Sequence, residues 1–339
     1  MRIVCFHLNQ IGDLVFSLPA LKCLRDSFPN AYIASVVRPP VRDLLQCTDL
    51  VNEVLVRSGG LNLRKIELAR RLAAGKFDLA VLFSQSAECA ILAFLSRAPR
   101  RVGFVNTSFG RLLTDLVQFR HPPSTENNLR LVRAVGCPIS KSDYVGLLTP
   151  SQAMMESGRH ILDEHGVGSD ERIIALAPGT SGRRRLKEWS ESGFARVAKH
   201  AVAGAMKVVI IGTDPAPGIV QDSREIIDLA GKTTLSDVVG ILARCAALVG
   251  VDSGILHLCA ALGKPVVGLY GPSDPATTGP QGKGHVVLFS GAECSPCAQV
   301  KCSFGRKCMT NIDPADVIAA LDAVLEGNDG SQRLRDNAK

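Results

Sequence analysis

Short, continuous apolar runs alternate with stretches of helical period along this chain. Arg2–Leu8 reads as a buried strand, Leu14–Phe28 as a helix and Ala31–Val37 as a second strand. Val51–Arg57 follows as a strand, Leu61–Ala74 as a helix, Phe77–Phe83 as a strand, Glu88–Arg97 as a helix and Arg101–Val105 as a strand. Runs apolar on both sides, alternating with helices, predict a parallel sheet covered on both faces.

The pattern breaks at the polar, proline-bearing segment His121-Pro122-Pro123-Ser124-Thr125-Glu126-Asn127-Asn128, read as a loop. A new helix starts near Ser151, which sets the domain boundary within 145–155 and divides the chain into 1–150 and 151–326. The second half repeats the alternation. Strands are expected at Ile173–Ala177, Lys207–Ile211, Ala246–Val251 and Pro265–Tyr270, and helices near 190–203, 216–226, 235–244 and 254–262. Asp313-Pro314 opens a last helix, with Asp as N-cap and Pro in the first turn, running to about Leu325. The polar tail 327–339 is expected to be mobile. The fold class is therefore α/β, with two Rossmann-like domains whose parallel sheets face a central cleft. Ligands of such sheets sit beyond the carboxyl ends of the strands.

Charge sharpens this picture. The chain carries a net +7, and residues 1–150 hold 19 Lys and Arg against 11 Asp and Glu, so the whole excess lies in the first half. A solvated face explains it, and so does attraction to an anionic partner such as a phospholipid surface or phosphorylated glycan. Aromatic residues at 5% and scattered basic positions argue against nucleic acid. No apolar run of about 20 residues spans a bilayer, and the first residues enter a strand rather than a signal peptide. Seven scattered cysteines (Cys5, Cys23, Cys47, Cys89, Cys137, Cys245, Cys259) suit reduced, core-filling thiols in a cytoplasm.

Chemistry is sought in the loops after the strands. Asn9-Gln10-Ile11-Gly12-Asp13 joins the first strand to the first helix. Asp13 either caps that helix or serves as a general base for a hydroxyl. Neither a dinucleotide fingerprint nor a P-loop is present. Thr180 and Ser181, followed by Arg183, Arg184, Arg185 and Lys187, form a hydroxyl- and cation-rich loop suited to phosphate, or an exposed basic loop. Asp252-Ser253-Gly254-Ile255 opens a helix whose first amides attract anions, and His257 one turn in is a phosphate donor or a core histidine. Gly271-Pro272-Ser273-Asp274-Pro275 shapes a pocket or is only a turn. A carboxylate from one half and a diphosphate site in the other is the division of labour that sugar transfer needs. One group frees the acceptor oxygen, and the others stabilise the departing diphosphate. No paired-carboxylate motif for a catalytic Mg²⁺ is evident, so no catalytic cofactor is expected.

These residues resemble glycosyltransferase family 9, the ADP-heptose:lipopolysaccharide heptosyltransferases. The likeness lies in Ile11-Gly12-Asp13 with Leu18-Pro19-Ala20-Leu21-Lys22, in Pro178-Gly179 through Lys187-Glu188-Trp189, and in Asp252-Ser253-Gly254 with His257 through Gly271-Pro272-Ser273-Asp274-Pro275. The resemblance implies GT-B architecture, an inverting and metal-independent reaction, Asp13 as base and Lys187 as diphosphate ligand. It further implies Asp252, Ser253, Gly254 and Ile255 at the nucleotide phosphates with His257 beside them. The expected partners are ADP-heptose and an anionic lipid-linked acceptor, at the cytoplasmic face of the inner membrane. Where the family often has a Glu for the ribose, this chain has Ile211-Gly212-Thr213-Asp214. A nucleotide-sugar epimerase and a non-catalytic sugar-nucleotide binding protein are the rival readings.

Cys294, Cys297, Cys302 and Cys308 form a separate cluster before the terminal helix. Its spacing, C-x2-C-x4-C-x5-C, leaves open a structural Zn²⁺ or iron, two disulfides, or reduced thiols.

Overall fold

β1 (Arg2–His7), β2 (Tyr32–Val37), β3 (Glu53–Val56), β4 (Leu79–Leu82), β5 (Arg100–Phe104) and β6 (Asp115–Val117) build one sheet in the order β3-β2-β1-β4-β5-β6. Its strand pairs run parallel, with Val4 opposite Ala34 on one side and Ala80 on the other. The computed structural model describes residues 1–59, 63–120, 123–180, 184–220, 223–297 and 301–327, and the expected mobile tail beyond 327 lies outside them. The chain divides into two compact units, Met1–Thr149 and Pro150–Lys339.

The first unit is layered as its apolar runs demand. Helices Leu63–Ala74 and Ala87–Leu95 cover one face, where Leu68, Leu72, Cys89, Ala90 and Ala93 meet Val4, Phe6, Ala80 and Leu82. Helix Ile11–Ser27 packs with Ser124–Ala134. The latter occupies sequence read as a polar loop. Its Asn127 and Asn128 are buried but satisfied, Asn127 bonding both the amide and carbonyl of Arg120 and Asn128 donating to the Phe16 carbonyl at 3.0 Å. Polarity here marks paired buried groups rather than solvent.

A second parallel sheet forms from β7 (Ile173–Ala177), β8 (Lys207–Ile210), β9 (Ile226–Asp228), β10 (Ala247–Val251), β11 (Val266–Tyr270) and β12 (Val286–Phe289), in the order β12-β11-β10-β7-β8-β9. β9 and the short helix Pro217–Val220 stand where a single helix was expected near 216–226. Pro215 and Pro217 confine any helix here to one that starts at Pro217, and Ile226-Ile227 extends the sheet beside Val208 and Val209. Helices Gln152–Glu164 and Leu235–Arg244 approach so closely that a Cβ on Gly240 would stand 1.9 Å from the Met154 carbonyl oxygen. A Cβ on Gly158 would meet the Gly240 backbone at 2.4 Å. Among the described residues no helix is long and apolar enough to cross a membrane.

Both sheets share one consequence. The first strand of each unit is central, and the order reverses direction beside it, between β1 and β4 and between β7 and β10. Loops leaving those strand ends diverge and open a crevice.

Candidate active site

In the second unit, three strand ends lie side by side. Thr180 follows β7, Asp252 and Ser253 follow β10, and Ser273 follows β11. The hydroxyls of Thr180, Ser253 and Ser273 are all buried with no hydrogen-bond partner among the described residues. A buried hydroxyl without a partner is costly, and three at adjoining strand ends mark a place built to receive an acceptor-rich group. Ser253 is also the N-cap of helix Gly254–Ala261, yet its side chain makes no capping bond. The Gly254 and Ile255 amides therefore open the helix with no cap from Ser253, and they carry its positive end.

The charged centre of this site is Asp252, which is 5% exposed. Lys187 Nζ donates to its Oδ2 at 2.5 Å, His257 Nε2 lies 3.2 Å from its Oδ1, and the Thr278 hydroxyl reaches Oδ2 at 3.4 Å. Burial alone would raise this carboxyl. The hydrogen bond from His257 and the Lys187 charge outweigh it and hold Asp252 well below the ordinary carboxylate range. His257 is 2% exposed, so it is both a core side chain and a member of the polar cluster.

Lys187 is presented on a single 3₁₀ turn, Arg185–Lys187. Buried Trp189 pins the chain behind it, donating through Nε1 to the Ile312 carbonyl at 3.2 Å. Arg306 braces the same backbone through the carbonyl of Glu188 at 3.2 Å. The fold thus brings Lys187, Asp252 and His257 into contact and sets Thr180, Ser253, Gly254 and Ile255 at neighbouring strand ends. Ser181 lies outside the described residues. Asp214 is exposed on a bend after β8.

Asp13 belongs to the first unit, and its setting differs from the loop expected. The helix begins at Ile11, two residues before Asp13, so Ile11 and Gly12 lie in its first turn and Gln10 is the N-cap. Asp13 sits at the third helical position and accepts from the Gln10 amide at 3.2 Å, while its side chain remains exposed. An acid there answers an orphan amide and the helix's positive end together.

Below it, at the end of β1, lies a residue that pattern reading passed over. His7 is 2% exposed and stacks on Phe83, with ring centroids 4.6 Å apart. The Ser17 hydroxyl lies 2.7 Å from the Leu14 carbonyl and 2.9 Å from His7 Nδ1. The other ring nitrogen of His7, Nε2, is buried with no partner among the described residues. Burial pushes the His7 pKa down to about 3, which keeps the ring neutral.

Ser273 and Thr278 are equally hidden, since neither carries a local signal beyond a turn. Asp274-Pro275 repeats the start signal of Asp313-Pro314 and nucleates the short helix Pro275–Thr278 that carries Thr278 to Asp252.

The four clustered cysteines line one pocket with Leu186, Pro272 and Arg306. Cys302 Sγ accepts from the amides of Phe304 and Arg306 at 3.4 and 3.3 Å. Burial raises the Cys308 thiol, and proximity to Cys294, Cys297 and Cys302 raises it further. No cysteine is joined to another in a disulfide, which removes the two-disulfide reading. Nor is any group of three His, Cys, Asp or Glu among the described residues placed to hold a metal ion, so the expected structural Zn²⁺ or iron finds no support in this geometry.

Two consecutive doubly wound parallel sheets, each with its leading strand at the centre, constitute the GT-B architecture of glycosyltransferases. Residues 65–308 match the description Glycosyltransferase family 9 (heptosyltransferase), and the chain belongs to that family. It is 28% identical over 303 residues to lipopolysaccharide heptosyltransferase 2 of Salmonella typhimurium, covering 83% of this chain and 85% of that protein. Among solved structures it is similar to the glycosyl transferase family 9 protein of Veillonella parvula, with TM-score 0.84, 23% identity, and coverage of 96% of this chain and 97% of that one. It is also similar to E. coli ADP-heptose lps heptosyltransferase II, with TM-score 0.79, 23% identity, and coverage of 96% and 99%. The protein is a glycosyltransferase.

Proposed function

We propose that this enzyme moves a heptose from ADP-heptose, with inversion, onto a Kdo- or heptose-bearing acceptor of the lipopolysaccharide inner core. The observation that carries the reading is the buried Lys187–Asp252–His257 cluster beside three partnerless hydroxyls and an uncapped helix start. Those groups suit a pyrophosphate: one point cation, neutral donors, and amides at a helix's positive end. In this reading the second unit binds the donor, and Lys187 with the Ser253–Ile255 amides meets the charge that develops on the departing ADP. No catalytic metal is assigned, so turnover should persist in EDTA.

Asp13 is assigned the role of base. Its carboxylate is exposed at the start of the first helix, where it accepts from the Gln10 amide, and in this reading it takes the acceptor's hydroxyl proton. The first unit would then bind the acceptor, and the enzyme would act at the cytoplasmic face of the inner membrane, where a lipid-linked acceptor is reached. A structural Zn²⁺ or iron at Cys294, Cys297, Cys302 and Cys308 rests on thiol chemistry alone. One metal per chain by elemental analysis of protein purified without chelator would support it, and none would remove it.

The test is ADP release from ADP-heptose with and without a Kdo-terminated lipid A acceptor. Release that requires the acceptor supports transfer. Sugar conversion without it points to an epimerase, and neither to a binding protein. Asp13→Ala should abolish turnover while ADP affinity stays within about twofold, since a base contributes to the transition state and not to donor binding. If both fall together, Asp13 serves only as the helix's capping acid.

A further inference from the structure

Helix Ala87–Leu95 is apolar on both sides. Inward it gives Cys89, Ala90, Leu92 and Ala93 to the core. Outward it presents Ile91, Phe94 and Leu95, spaced i, i+3, i+4 and 41%, 51% and 40% exposed. A surface helix that keeps a second apolar stripe has a further surface to meet. The stripe is not isolated. The neighbouring helix Leu63–Ala74 covers the same face of the sheet and turns Leu63 and Ile66 outward. On the other side, the Arg101 guanidinium lies 5.8 Å from the Phe94 ring centroid and donates to the Leu112 carbonyl. This ties the helix to the 3₁₀ turn Gly110–Leu112, beside which Phe109 and Leu116 are exposed.

The charge around this face is one-sided. Residues 63–120 contain ten Lys and Arg against four Asp and Glu, six of the protein's seven net positive charges. Of those acids, Glu88 is engaged by Arg57 and Lys65, and Asp115 by Arg100. Arg64, Arg97 and Arg111 stand exposed. A second copy of the chain fits poorly, because a self-complementary contact would set these arginines against their own kind. An anionic phospholipid surface fits both properties, with headgroup phosphates for the arginines and the acyl boundary for the apolar side chains.

We propose that the outward face of helices Leu63–Ala74 and Ala87–Leu95, with the Phe109–Leu116 segment, docks this protein on anionic phospholipid. The face supplies a physical means for the membrane location inferred above. Vesicle binding is read without donor or acceptor, so it fails separately from sugar transfer.

The experiment is co-sedimentation of the full chain with phosphatidylglycerol/phosphatidylethanolamine vesicles and with pure phosphatidylcholine vesicles. Wild type should partition at least tenfold better onto the anionic vesicles and lose most of that binding at 0.5 M salt, where the screening length is about 4 Å. Phe94→Ser/Leu95→Ser and, separately, Arg97→Glu/Arg111→Glu should each cut partitioning at least tenfold, with unchanged melting profiles. All four positions are exposed, and the two pairs test the apolar and charged halves independently. Equal binding by either pair, or indifference to lipid charge, would overturn the proposal. So would sedimentation equilibrium showing a wild-type dimer that the serine pair dissolves, since the face would then be a protein interface.

Discussion

Lys187 and Asp252 offer the sharpest test of the site's electrostatics. At 2.5 Å and an effective dielectric of about 20, their direct attraction is roughly 6–7 kcal/mol. Desolvation of two ions takes back several kcal/mol each, so the intact pair contributes little net stability. Removing one partner is a different matter. Lys187→Met leaves the Asp252 carboxylate buried with His257 and Thr278 as its side-chain partners among the described residues, and should cost about 3 kcal/mol, the low end for breaking a buried pair. Asp252→Asn should cost less, about 1–2 kcal/mol, because Lys187 is nearer solvent. The double variant buries no unpaired charge, so it should be at least about 2 kcal/mol more stable than the two losses added together.

Urea unfolding followed by tryptophan fluorescence measures this directly, since Trp189 is the chain's single tryptophan and sits directly behind Lys187. Folded Asp252 is held below its ordinary value of 3.8, so the carboxylate's contribution is constant at neutral pH and is lost only as the pH falls beneath that value. Losses that add to within about 0.5 kcal/mol would show that the contact carries no coupling and would refute the reasoning.

Three further outcomes are expected. Ser273→Ala should leave folding stability unchanged or slightly raised, since its hydroxyl has no partner among the described residues, while weakening ADP binding about three- to tenfold by calorimetry. The depressed His7 pKa means that the unfolded chain binds a proton below its ordinary value of 6.5 while the folded chain does not until about 3. Stability should therefore fall with pH by about 1.4 kcal/mol per unit between about pH 6 and 4, and His7→Gln should lessen that slope in denaturant titrations. Gly240→Ala should destabilise the second unit by about 3 kcal/mol or more, read from its urea midpoint, because the new methyl meets backbone rather than a movable side chain.

Much was already legible in the order of residues. The fully buried strands Ile173–Ala177 and Ala247–Val251, and Arg2–His7 past its half-buried first residue, are runs that only a sheet covered on both faces can hide, and their alternation with helices implies parallel pairing. The hydroxyl- and cation-rich composition after Ile173–Ala177 and the Asp252-Ser253-Gly254 helix start were readable as candidates because phosphate chemistry needs particular residue types at a strand's end. What local pattern misstated were places where tertiary pairing overrides it. Buried Asn127 and Asn128 make a helix look like a loop, and the Gln10–Asp13 bond starts the first helix at Ile11.

Sequence by itself determined the class of fold and the kinds of groups available at its strand ends, because periodicity and residue chemistry are local properties. The tertiary structure alone decided which of those groups meet. Lys187 and Asp252 are 65 residues apart, yet one ion pair joins them. The hydroxyls of Thr180, Ser253 and Ser273, without partners among the described residues, are brought together because three strands end side by side. The outward apolar stripe on helix Ala87–Leu95 emerges only once the core has claimed the other side. Burial and contact depend on the whole chain's packing, and no window of neighbouring residues contains that information.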